Sequence, residues 1–285
     1  MMKLNIGASP IWQGDDWYVL DHKVRNNSKY LISGTAENIN LKNNSCDVVF
    51  CSHVVEHIPH IKLPIVLAEI NRIMKKGGIL RILTPDLEKI CKAYVKKNTK
   101  FFNKAKSEDE SIRTDLGLGG MLMSFIVTPG QDTVLIDREL KKFIAGYAHL
   151  YSYDFKMLSV LLKSLGYSVR KAKFNDCKIA EMKKPLHVVG MKPIWRDLNQ
   201  KFYKKNGLVH KLINGKYKIN FKVTGFDRDP LTSLIIEAKK IKNTSKKMAN
   251  KKFNMSSKNY NRYAYSLLSH NDFAKNLNKR NIKQI

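Results

Sequence analysis

Two imidazoles and a carboxylate fall within five residues in His53-Val-Val-Glu-His57, directly after Asp47-Val-Val-Phe-Cys51 and Ser52. Histidine titrates near neutral pH, so His53, His57 and the distant His149 are the candidate bases for moving a proton. The spacing also matches H-x-x-E-H, a zinc signature in which both histidines ligate the metal and the acid activates water. Pro59 cuts any helix soon after, and the motif stands at a strand exit, so zinc hydrolysis is disfavoured and no metal is expected. Each histidine has a competing structural reading. His53 can cap or pack at a helix start, Glu56 and His57 can tie that helix to nearby backbone, and His149 with Tyr153 can be an ordinary loop contact.

The elements that must position these residues alternate short β-like runs with helical stretches. That is the pattern of an α/β fold with a largely parallel sheet. Strands are expected at Lys3–Ile6, Trp17–Leu20, Lys29–Ile32, Asp47–Cys51 and Ile79–Leu83. Between Leu63 and Lys75 the apolar residues repeat at helical spacing, and Gly77-Gly78 is expected to end that helix. Asp86 and Asp154 are placed to cap further helices, the second ending at Gly166. Tyr167–Phe174 and Ser233–Ala238 read as later strands, with hairpin strands around Tyr217–Val223.

In such sheets ligands lie outside the carboxyl ends of the strands, at the switch point of strand order. The residues there are Gly7-Ala8 after the first strand, Asp21 after the second, Thr35-Ala36 after the third, and Ser52-His53 after the fourth. A glycine turn lets backbone N–H groups approach a ligand, and an acid such as Asp21 accepts hydrogen bonds from both hydroxyls of a ribose. Together they describe a nucleoside-containing cofactor.

Five strings in order, Leu4-Asn-Ile-Gly-Ala-Ser-Pro10, Trp17-Tyr-Val-Leu-Asp21, Gly34-Thr-Ala-Glu-Asn38, Cys46 to Ile58 and Glu69 to Ile82, resemble class I S-adenosylmethionine-dependent methyltransferases of the type 11 group. His149-Leu-Tyr-Ser-Tyr-Asp154 and Ser233–Ala238 look like that group's second half. The resemblance implies a Rossmann-like fold, S-adenosyl-L-methionine as cofactor, and an acceptor that is a small molecule or a sugar of a glycan precursor. It also implies that Gly7 and Ala8 face the methionine part, Asp21 the ribose, Thr35 and Ala36 the adenine, and Ser52 and His53 the methyl donor. The pattern departs at Asn5 and Thr35, where the family usually has acids, and at Ser9, where it has a second glycine. Asn5 is kept among the expected cofactor contacts. These departures raise an alternative, a catalytically inactive cofactor-fold binding module.

Charge bears on the partner. The chain of 285 residues has 52 Lys and Arg against 24 Asp and Glu, a net +28. From Lys239 to Ile285 there are thirteen basic residues against Asp272 alone. An anionic acceptor is therefore favoured over a cationic one. A further alternative is an RNA-directed methyltransferase or RNA-binding protein using the basic tail as an electrostatic arm. Only scattered aromatics and no RNA-binding signature accompany that tail, so nucleic acid is not favoured. A domain over 1–242, interrupted by insertions at about 98–150 and 178–229, is expected, followed by a basic tail over 243–285. Hydrophobic residues at 43% exclude wholesale disorder. The four cysteines show no metal-binding or disulfide spacing, no run is long enough to span a bilayer, and no leader-like segment opens the chain, so a cytoplasmic protein is expected.

Overall fold

The computed structural model describes residues 1–7, 17–20, 31–32, 34–106, 115–127, 134–137, 142–145, 149–173, 176, 209–213, 216–219 and 231–253. A six-stranded sheet is formed by β1 (Lys3–Ile6), β2 (Trp17–Leu20), β5 (Cys46–Ser52), β6 (Met74–Pro85), β9 (Tyr167–Ala172) and β12 (Ser233–Lys240). Its order is β2-β1-β5-β6-β12-β9. The first four strands run parallel, and β12 is inserted antiparallel to both β6 and β9. Three two-stranded sheets accompany it: β3 (Gly34–Thr35) with β4 (Asn38–Ile39), β7 (Val134–Asp137) with β8 (Lys142–Ala145), and β10 (Val209–Ile213) with β11 (Lys216–Ile219). The chain moves from β1 outward to β2 and then returns to place β5 on the other flank of β1. The switch point therefore lies at the carboxyl ends of β1 and β5. Register fixes the neighbours there, with Ile6 opposite Cys51.

Helix α1 (Leu63–Ile73) buries nine of its eleven residues, too many for a single apolar stripe. Its two buried polar side chains consequently need partners. Asn71 donates to the carbonyls of Leu165 and Lys242 and accepts from the Thr244 amide. Glu69 accepts from the Ile39 amide and from Arg72, and Lys246 lies 3.1 Å from it. Helix α1 packs with the sheet, α5 (Phe155–Ser164) and Ala249 in the main core. A separate cluster joins α2 (Leu87–Val95), α3 (Thr99–Lys106) and α4 (Gly117–Ile126) through Ile90, Phe102, Met121 and Phe125. Asp86 and Asp154 cap α2 and α5, accepting from the amides of Lys89 and Met157. Gly166 ends the α5 turn at φ +91, where a Cβ would lie 2.7 Å from the Lys242 carbonyl oxygen.

Three boundaries differ from the sequence reading. The helix at 63 ends at Ile73, and strand β6 starts at Met74, because Gly77 and Gly78 sit within the strand rather than after a helix. The expected strand at Lys29–Ile32 is, among the described residues, a single parallel bridge from Leu31 to Val19. The chain does not leave the domain at 242. The Thr244 hydroxyl donates to the Leu165 carbonyl, and α6 (Lys246–Phe253) buries Ala249 in the main core. Basic composition hid this, since only one face of α6 is apolar.

Candidate functional site

The switch point is shaped by a close approach between the segments leaving β1 and β5. Gly7 has φ +70, and its amide donates to the Leu20 carbonyl. A Cβ there would lie 2.3 Å from Val54 Cγ2, so only glycine fits without displacing the chain after β5. Ser52 closes β5 opposite Leu83, and its buried hydroxyl has no hydrogen-bond partner. A buried hydroxyl left unpaired costs about 1–3 kcal/mol, which a ligand at the strand ends would relieve.

His53 follows at φ 52, a left-handed conformation that costs a non-glycine residue about 1–2 kcal/mol. Its amide donates to the Leu83 carbonyl, which holds the turn against β6. The ring is engaged on both sides: Nε2 lies 3.2 Å from Ser233 Oγ at the start of β12, and Nδ1 lies 3.1 Å from Glu56 Oε1. Nε2 shares a hydrogen bond with the Ser233 hydroxyl, while Nδ1 faces the Glu56 carboxylate at ion-pair distance. His53 is thus held between the start of β12 and the turn after β5.

Val55–His57 forms one 3₁₀ turn. Its Glu56 carbonyl accepts from the amides of Leu150 and Tyr151, which pins the 149–151 segment to the end of β5. The Glu56 side chain is 1% exposed, and its Oε2 has no hydrogen-bond partner. Burial pushes its carboxyl up, but the His53 contact and the nearby His57 and His149 rings outweigh it and bring the group down to about 2. It is a carboxylate at neutral pH. The rings of His57 and His149 meet edge-on at 5.0 Å between centroids. His149 Nδ1 lies 2.7 Å from the Phe125 carbonyl of α4, which can only accept. Nδ1 is therefore protonated, and in the neutral ring Nε2 carries the lone pair. Burial lowers the His149 imidazolium from its usual range, against the raising effect of Glu56 and the Phe125 carbonyl. Tyr153 is buried beside Tyr151 with its hydroxyl unpartnered, and burial pushes that phenol up.

Beyond His149 opens a cavity of about 420 Å³, walled by Leu87, Ile126, Val127, Tyr151, Ser152 and Met157 with His149. The side chains from the strand ends to this cavity form a continuous series: His53 against Glu56, Glu56 among the imidazoles, His57 against His149.

Residues 18–82, from β2 through most of β6, match the model of a family described as a methyltransferase domain. Over those residues the chain is similar to a class I, type 11-like methyltransferase domain. S-adenosylmethionine is the cofactor expected of such a domain. No curated protein matches the chain. Among solved structures it is similar to a SAM-dependent methyltransferase from Archaeoglobus fulgidus, at 16% identity over 84% of this chain and 86% of that one, TM-score 0.38. It is similar to another from Thermotoga maritima, at 15% identity over 84% and 82%, TM-score 0.36. A third, from Methanosarcina mazei, is 11% identical over 85% and 93%, TM-score 0.36.

The expected methyltransferase residues are placed unevenly. Gly7, Ser52, His53 and His57 are brought together at the ends of β1 and β5, and His149 joins them through the Glu56 carbonyl. Asn5 is buried within β1, 3% exposed, between Val19 and Phe50. Thr35 is exposed and Ala36 half-buried at the turn of the β3–β4 hairpin, where Ala36 packs on the main core. Ala8 and Asp21 lie outside the described residues. Ser233 was missed as a site residue, since nothing local in Thr232-Ser-Leu signals a partner 180 residues away. The buried Glu56 carboxylate is the hub of the cluster, and the zinc-like spacing was the one sequence signal that drew attention to it.

Proposed function

We propose that the protein methylates a small-molecule or glycan-precursor acceptor seated in the cavity beside His149, with S-adenosylmethionine at the strand ends. The observation that carries this reading is the unbroken series of side chains from Ser52 and His53 to His149 at the cavity wall. The residues present fit the cofactor. The orphaned Ser52 hydroxyl at the strand ends would gain a partner in a bound ligand, which supports this placement. Gly7, Ala8 and Ser52 would hold the methionine part, Asp21 the ribose, and Thr35 with Ala36 the adenine, with Asn5 behind them in β1. When bound, the cofactor supplies an activated methyl group on its sulfonium and leaves as S-adenosylhomocysteine.

The chain's own part is positioning and proton transfer. Glu56 fixes the His53 ring through Nδ1, and the Phe125 carbonyl fixes His149 with its lone pair on Nε2. His149, at the cavity wall, is the side chain placed to act on an acceptor hydroxyl, and Leu87, Ile126 and Val127 line the same cavity. A cavity of this volume suits a sugar residue or a comparably small molecule. The net +28 supports an anionic one such as a nucleotide-sugar. The test is transfer of labelled methyl from the cofactor to nucleotide-sugars, phosphorylated metabolites and RNA in parallel. Label in a small anionic acceptor is expected; label in RNA alone, or in none, would contradict the reading.

A further inference from the structure

Glu56, His57 and His149 each offer one ligand atom, and these three atoms lie within 4.8 Å of one another. We propose that they bind a divalent first-row transition-metal ion, with an open coordination position facing the cavity beside His149. This rests on the methyltransferase reading and refines it: His149 acts on the acceptor as a ligand of the ion, the acceptor oxygen takes the ion's open position, and the acceptor's proton leaves to solvent.

Four features of the cluster support a built site. The first is the donor set, two imidazoles and one carboxylate, which is that of metal sites keeping an open position for substrate. An all-oxygen ion such as magnesium or calcium would find too few oxygens here. Second, Glu56 is 1% exposed, yet its Oε2 has no hydrogen-bond partner. A buried carboxylate oxygen without a partner is costly, and an ion would supply one. Third, His149 already donates its Nδ1–H to the Phe125 carbonyl. Such a bond to the far ring nitrogen fixes a metal-binding histidine's orientation and tautomer. The other carboxylate oxygen, Oε1, lies 3.1 Å from His53 Nδ1 and likewise has no hydrogen-bond partner.

The fourth feature is preorganisation. The ligands come from chain segments more than ninety residues apart, and the Leu150 and Tyr151 amides bind the Glu56 carbonyl to join them. Bonds near 2.1 Å to one ion place ligand atoms roughly 3–3.5 Å apart, and side-chain rotation can close that gap from the present spacing. The ligand set is not the one that H-x-x-E-H spacing suggests. His53 is turned to Ser233 and Glu56, and His149 takes the place of the motif's first histidine.

The full-length, untagged chain is stripped with a chelator and titrated with Co²⁺, following visible absorption, alongside titration with S-adenosylhomocysteine. One Co²⁺ per chain with ligand-field bands is expected. Glu56→Gln and His149→Gln should each weaken Co²⁺ at least tenfold while leaving far-ultraviolet circular dichroism and S-adenosylhomocysteine affinity unchanged. Should either variant fail to fold, the other decides. Absence of Co²⁺ uptake, or uptake unaltered in the folded variants, would overturn the metal site. S-adenosylhomocysteine binding without Co²⁺ leaves the methyltransferase reading standing and removes the metal. Co²⁺ binding without S-adenosylhomocysteine does the reverse.

Discussion

At the scale of single residues, the histidines are told apart by what holds each ring and by which of them lines the cavity. His53 is held between Ser233 and Glu56, and His149 is held at Nδ1 by the Phe125 carbonyl at the cavity wall. His149→Ala should lower turnover by about 10²–10⁴-fold, the range for losing a group that assists removal of the acceptor's proton, with cofactor affinity unchanged. Steady-state rates beside a binding titration check this, and full turnover would remove His149 from the reaction. His53, His57 and Ser52 were legible because the strand before them is continuously apolar and its exit is where ligands gather. Glu56 was visible as a residue but not as a hub. Nothing in the local sequence shows that residues 149 to 151 return to its carbonyl.

At the scale of elements, α1 ties β4 to the turn between α5 and β9 and to residues 242–246 through its buried polar residues. Desolvation pushes Glu69 up, but hydrogen bonds from Arg72, the Ile39 amide and Lys246 outweigh it and hold the carboxyl below its ordinary value. Its contribution is fully present above the ordinary carboxyl pKa of about 4.5 and is lost as pH falls through the lowered folded value. Glu69→Gln should therefore cost about 1.5–3 kcal/mol at pH 7, and the gap from the parent should narrow as pH drops below 4. Denaturant unfolding at pH 7 and pH 3.5 measures both. The helix was predicted from its apolar period, which a helix buried on most of its faces still shows. Its end was misplaced by two residues, since a Gly pair reads as a helix stop whether it follows a helix or interrupts the start of a strand.

At the scale of the whole molecule, the α/β sheet was readable from alternating elements, but the edge of the domain was not. Composition suggested a solvated tail from 243, while Thr244, Lys246 and Ala249 close over α1. A chain ending at Lys242 should lose at least about 2 kcal/mol, from the two buried Thr244 hydrogen bonds and the Ala249 contact. Thermal melting beside full length checks this, and an unchanged midpoint would return the boundary to 242. Among the described residues no helix is long and apolar enough to cross a membrane.

The measurement that bears most directly on the whole account is calorimetric titration of the full chain with S-adenosylhomocysteine, repeated on Asp21→Ala. Asp21 follows the last residue of β2, whose carbonyl holds the Gly7 amide at the switch point. One site per chain is predicted, weakened about tenfold to a hundredfold by the loss of about 1.5–3 kcal/mol of charge-assisted hydrogen bonding in the variant. Absence of binding to the parent would contradict the cofactor site, and equal affinity in a folded Asp21→Ala variant would contradict the ribose assignment within it.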